Sequence, residues 1–269
     1  MKFKNVKLIY FSPTQTTQKV LESIAHGIDF DEINHMDLTY LKDINRSAVT
    51  FSDELVMIGT PVYAGRLPVE AVERLKQLRA HNTLAIIVVV YGNRDFDDAL
   101  LELKNLVSEL GFTPIVGGAF IGEHSFSTKD VPIAEGRPDS LDVEKAVELG
   151  QKIQEKINTF ATSKMQFELE VPGNFPYKEG MPANLVAPII NENLCNACGT
   201  CIDVCPTGAI YVEDNNILTN VELCIRCCAC VKNCPNGARV VEDASWKAIG
   251  ARLNANCATR KEPQFFGIA

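Results

Sequence analysis

Nine of the ten cysteines in this chain lie between residues 195 and 234, in CNACGTCIDVCP (195–206) and CIRCCACVKNCP (224–235). Both stretches contain C-x2-C-x2-C-x3-C-P. The first run is Cys195, Cys198, Cys201 and Cys205 before Pro206, and the second is Cys224, Cys227, Cys230 and Cys234 before Pro235. Thiolates two residues apart in a loop can converge on one centre from a single concave backbone, so three ligands come from one run and a fourth comes from elsewhere. CPTGAI and CPNGAR extend the repeat, with Gly208 and Gly237 at the same offset to support a tight turn.

This spacing is that of the bacterial ferredoxin run, in which the fourth cysteine of each run serves the other cluster. It assigns Cys195, Cys198, Cys201 and Cys234 to one 4Fe–4S cluster. Cys205, Cys224, Cys227 and Cys230 go to a second. Zinc is a rival that also uses C-x2-C, but it requires neither a third cysteine at the same step nor the Cys-Pro ending. Disulfides conflict with a reducing compartment. Cys228, where such runs often carry glycine, and Cys257 in the C-terminal tail read as bystander thiols.

A chain of 269 residues suits two domains, and 46% hydrophobic with 22% charged residues describes a folded protein. The formal charge of −8 argues against a nucleic-acid binder, which would normally show a basic face, and suits docking on basic partners. The start, MKFKNVKLIYFS, has no h-region or cleavage site, and the longest apolar run, Leu84 to Tyr91, is too short for a membrane span. The expectation is a cytoplasmic protein, where a cysteine cluster signals metal or redox chemistry.

Elements must position these groups, and the cysteine-free first 194 residues supply a pattern of their own. Val6–Phe11, Leu55–Ile58, Leu84–Tyr91 and Ile115–Ile121 read as strands buried on both faces, with a further strand near Glu32–Met36. Thr17–Ile28, Val69–Ala80, Asp97–Leu110 and Asp142–Phe160 read as helices. Such alternation predicts a doubly wound α/β fold, whose ligands bind outside the carboxyl ends of the strands. Three loops lie there. Ser12–Thr17 offers four hydroxyls and a helix N-terminus, fit either to cap that helix or to hold a phosphate with neutral donors. GTPVYAGRLP (59–68) and YGNRDFDD (91–98) each combine glycine with a tyrosine able to stack on a flat ligand. Pro- and Gly-rich VPGNFPYKEGMPANLVAP (171–188) reads as a linker or a surface-wrapping segment.

LIYFSPTQTT resembles the flavodoxin signature, with Gln15 where glycine is usual. Together with GTPVYAGRLP, GEHSFS and the cysteine runs, it makes the chain similar to the flavodoxin–ferredoxin fusion proteins of anaerobic bacteria and archaea. The resemblance implies a flavodoxin-like five-stranded parallel sheet of order 2-1-3-4-5 with helices on both faces. A small α+β ferredoxin domain with two 4Fe–4S clusters would follow it. Residues 1–165 would be the FMN-binding domain, 166–188 the linker and 189–269 the ferredoxin domain with a C-terminal tail. Ser12, Thr14, Thr16 and Thr17 would hold the FMN phosphate. Thr60, Pro61, Val62, Tyr63 and Ala64 would line one side of the ring, and Tyr91, Gly92, Asn93 and Arg94 the other, with His124 closing the site.

The resulting expectation is a low-potential electron-transfer protein joining FMN to two 4Fe–4S clusters and serving a partner redox protein, with no membrane or nucleic-acid role. One alternative is a flavin-dependent reductase of a small acceptor, fed by the clusters. Another is an interaction module that has lost its flavin.

Overall fold

The computed structural model describes residues 3, 5–40, 48–160, 168–180 and 186–268. The boundary expected at 165/166 and part of the expected linker lie outside them. Five strands, β1 (Asn5–Tyr10), β2 (Glu32–Asp37), β4 (Leu55–Pro61), β6 (Thr83–Tyr91) and β7 (Phe112–Ile121), pair in parallel in the order β2-β1-β4-β6-β7. Counted among themselves this is 2-1-3-4-5, the flavodoxin-like doubly wound order, whose switch point lies between β1 and β4. The central strands β4 and β6 are almost wholly buried, which is why they read as unbroken apolar runs.

Helices α1 (Thr16–His26) and α4 (Ser140–Phe160) cover one face, and α2 (Val69–Leu75) and α3 (Ala99–Glu109) cover the other. Gly27 and Gly150 let α1 and α4 meet backbone to backbone: a Cβ on Gly27 would lie 2.2 Å from the Val147 carbonyl oxygen, and one on Gly150 2.1 Å from that of Ile24.

Two differences from the sequence expectation have local causes. The helix expected over Val69–Ala80 stops at Leu75, and Leu78–His81 forms strand β5 beside β3 (Val49–Ser52). Leu78 and Ala80 are buried while Arg79 and His81 are exposed, an alternation only a strand can satisfy. The sheet also gains a sixth, antiparallel strand, β12 (Gln264–Phe266), which pairs with the edge of β7 through Gln264↔Ala119 and Phe266↔Gly117. The chain's end thus returns to the first sheet and covers its open edge.

The cysteine-rich segment builds two similar halves. Short helices α5 (Thr200–Asp203) and α6 (Ala229–Lys232) follow the first ligand loops. Strand pairs β8 (Ile189–Ile190) with β11 (Arg239–Val240), and β9 (Ile210–Glu213) with β10 (Asn216–Thr219), close them. Backbone torsions repeat as the sequence does: Ala197 and Arg226 both have φ of 56°, and Gly199 and Cys228 have 79° and 58°. A last helix, α7 (Ala244–Asn256), is capped by Asp243 accepting from the Trp246 amide at 2.8 Å, and leads to the tail. Among the described residues, no helix is long and apolar enough to cross a membrane.

Candidate functional site

All ten cysteines are free. Cys195, Cys198, Cys201 and Cys234 border one small hollow. Cys205, Cys224, Cys227 and Cys230 border another, together with Cys228. The fold therefore brings together the crossed quartets, each with its fourth cysteine from the opposite run. Among the described residues, no three His, Cys, Asp or Glu side chains converge on a single-ion position. Thiolates spread around a hollow suit a cube, which takes each ligand at a different iron, better than a zinc tetrahedron.

The thiols differ in setting. Burial drives Cys227 well above the ordinary range and Cys230 up to about 11. Cys198 is exposed, and the Thr200 hydroxyl lowers it. Buried thiols of this kind ionise only when a cation takes the proton's place. Cys228 is buried beside its neighbours at the left-handed position that Gly199 holds in the other half.

At the carboxyl edge of the parallel sheet lies a cavity of about 1400 Å³ including its mouth. Thr14, Thr16, Pro61, Val62, Tyr63 and Ala64 line it, as do Tyr91, Gly92, Arg94 and His124. Ten of the fourteen residues expected to bind flavin are thus gathered in one place. Gly92 admits the histidine, since a Cβ there would lie 2.2 Å from His124 Cδ2. His124 Nδ1 accepts from the Phe126 amide at 3.0 Å, and burial with the Lys232 and Arg94 charges lowers its pKa to about 4. The ring is therefore neutral with its proton on Nε2. Burial raises Tyr91 to about 12 and Tyr63 well above 10, so both stay protonated.

The other four do not line the cavity. Ser12 Oγ accepts from the Gln18 amide at 3.1 Å, the cap role its position also allows. Asn93 is buried: its Nδ2 donates to the carbonyls of Cys257 (2.6 Å) and Thr259 (2.9 Å), and its Oδ1 accepts from the Lys261 amide. It clamps the tail instead of facing a ring. Thr17 and Thr60 are buried behind the loops, and their hydroxyls have no partner among the described residues. Gln15 takes φ 64°, so the loop closes in the glycine-like conformation despite its side chain.

The model of the 4Fe-4S dicluster domain family matches residues 187–235. This segment is similar to that family of 4Fe-4S domains. No curated protein matches the chain. Among solved structures, the rubredoxin oxygen:oxidoreductase of the anaerobe Desulfovibrio gigas is 14% identical, with a TM-score of 0.42 over 60% of this chain and 37% of its own. A flavodoxin from the domain Archaea is 14% identical, with a TM-score of 0.36 over 57% of this chain and 99% of its own. The Fusobacterium nucleatum flavodoxin bound to flavin mononucleotide is 16% identical, with a TM-score of 0.39 over 57% and 99%. This chain thus spans little more than a third of the Desulfovibrio enzyme. The fold assignment rests on strand order and not on these likenesses.

The cysteine-rich segment does more than neighbour the cavity. Ile225 and Arg226, between Cys224 and Cys227, form part of the cavity wall, and Ile225 also borders the hollow of Cys205, Cys224, Cys227 and Cys230. It is the one described residue that borders both spaces. Helix α7 contributes Ile249, Arg252 and Leu253, and Phe126, in the loop after β7, packs at a tilt against Trp246 with ring centroids 4.9 Å apart. None of these was signalled by the sequence, because no motif links a cysteine loop or a tail helix to a cavity over 100 residues away. With Arg94, Lys178, Arg226 and Arg252 against Asp95 and Glu123, the lining is cationic on balance.

Proposed function

We propose that this chain is an electron-transfer protein that holds FMN in the sheet-edge cavity and two 4Fe–4S clusters in the cysteine hollows. Cys195, Cys198, Cys201 and Cys234 hold one cluster, and Cys205, Cys224, Cys227 and Cys230 the other. Thr14 and Thr16, with amides at the start of α1, face the phosphate. Pro61–Ala64, Tyr91, Gly92, Arg94 and His124 surround the ring. FMN supplies two-electron or one-electron exchange, and each cluster exchanges one electron at a time.

The single observation that carries this reading is the shared wall at Ile225, which borders both the flavin-sized cavity and the second cysteine hollow. The residues' own work is positional. Tyr63 and Tyr91 stay neutral, His124 stays unprotonated at pH 7, and the tail fixes the dicluster domain over the cavity. We take the parts to be 1–165, 166–188 and 189–269, with β12 of the last pairing with β7 of the first. The terminal acceptor or donor is a redox protein in the cytoplasm.

Anaerobically purified, reconstituted protein tests the reading by its contents. About eight irons, about eight sulfides and one flavin per chain are expected for two cubanes and FMN. A colourless preparation carrying zinc would defeat it. Sustained turnover of a small acceptor by the isolated chain, without any partner protein, would favour the reductase alternative.

A further inference from the structure

The internal repeat extends beyond the ligands. Cys205-Pro206-Thr207-Gly208-Ala209-Ile210 corresponds to Cys234-Pro235-Asn236-Gly237-Ala238-Arg239. Gly208 and Gly237 share φ values of 65° and 63°, so the backbone keeps the symmetry. The last side chain breaks it. Ile210 is 4% exposed, as an apolar residue should be, but its counterpart Arg239 is 3% exposed.

A guanidinium stays charged in a protein, and burying one without a counter-charge is strongly unfavourable. Arg239 Nη2 donates to the Pro188 carbonyl and the Thr219 hydroxyl, both at 2.9 Å, and neither acceptor is a carboxylate. Its Nε and Nη1 are buried without a hydrogen-bond partner. Arg239 borders both cysteine hollows, and no other described residue does. The Cys230 sulfur also feels a side-chain contact from Arg239, although no well-formed hydrogen bond reaches Nε or Nη1.

We propose that Arg239 is a positioning residue shared by the two clusters, a buried counter-charge and N–H donor set between them that holds both at higher potential than the isoleucine of the other half would. The proposal rests on the reading that the hollows hold clusters. Four thiolates and the inorganic core leave each centre anionic, and its negative charge grows on reduction. A nearby cation and N–H donation to sulfur favour the reduced form. The same two anions supply what the orphaned guanidinium lacks.

The test is an EPR-monitored redox titration of the full reconstituted protein as wild type, Arg239→Ile and Arg239→Lys, with iron and sulfide counted in each. Arg239→Ile restores the repeat's symmetry. It is expected to keep both clusters while the reduction equilibrium of each falls about tenfold or more, which is about 59 mV for a one-electron couple. Arg239→Lys, which keeps the charge but not the fork, is expected to fall less. Unchanged potentials in a fully loaded isoleucine variant would overturn the proposal, and a shift confined to one cluster would overturn the shared placement. If the isoleucine variant does not hold its clusters, the lysine variant decides: retention of both supports the counter-charge, and loss of both overturns it. A wild type without iron and sulfide would instead refute the underlying reading.

Discussion

Arg74 Nη2 of α2 donates to the carbonyl oxygen of Pro206 at 2.5 Å, one residue beyond Cys205. Nη1 of the same guanidinium donates to the carbonyls of Leu38 and Thr39, and the plane sits 5.2 Å from the centre of the Phe11 ring. Thr39 in turn accepts from the Ser12 amide through its hydroxyl at 2.8 Å. One buried cation therefore ties the loop after β1 to the loop that carries a cysteine of the second hollow.

Removing it should loosen both. Arg74→Met leaves three buried carbonyls without their donor, at a cost of about 3 kcal/mol. Urea unfolding followed by near-ultraviolet circular dichroism and by cluster absorbance should show an earlier midpoint, with the two signals no longer coincident. Coincident transitions at the wild-type midpoint would show that the contact contributes nothing.

His124 sets a pH limit on stability. Its folded pKa, about 4, lies below the unfolded value near 6.5. As pH falls through that window the unfolded chain takes up the proton first, so stability present above pH 6.5 is lost toward pH 4, by roughly 2–3 kcal/mol. His124→Gln, which cannot titrate, should flatten this part of the profile. Melting temperatures measured between pH 4 and 7 check it, and parallel profiles for both proteins would contradict it.

Asn93 controls the tail. Asn93→Ala removes hydrogen bonds to Cys257, Thr259 and Lys261, leaving the remaining tail contacts, such as Arg260 with Asp139 and β12 with β7, to hold it. Brief proteolysis should then cut near residues 258–263 much sooner than in wild type. Equal cutting rates would mean that Asn93 is dispensable to the clamp.

Gln15 bears a left-handed backbone that glycine would adopt freely. Gln15→Gly should stabilise the protein by about 1 kcal/mol and leave flavin binding intact or tighter. Calorimetry with and without added FMN reads both quantities, and a loss of affinity would give the Gln15 side chain a role of its own.

The parallel sheet was readable because β4 and β6 are buried on both faces and so carry unbroken apolar runs. The two cysteine runs were readable because their spacing is that of the bacterial ferredoxin run. Leu78–His81 misread as helix because apolar residues at 75, 78 and 80 fit both periods, and only pairing with β3 decides between them. Asn93 sits in a loop whose neighbours do face the cavity, and a tail 164 residues away in sequence captured its amide. Arg239 stood visibly against Ile210 in the repeat. Its meaning needed the structure, because nothing in the sequence places it between two hollows.

The central claim is that flavin and clusters on one chain share electrons across the wall at Ile225. The direct test is to inject less than one electron per chain into loaded protein by flash photoreduction, then follow flavin absorbance and cluster absorbance as they relax. The account predicts redistribution between the two at a rate independent of protein concentration. A rate proportional to concentration, or no redistribution at all, would contradict it.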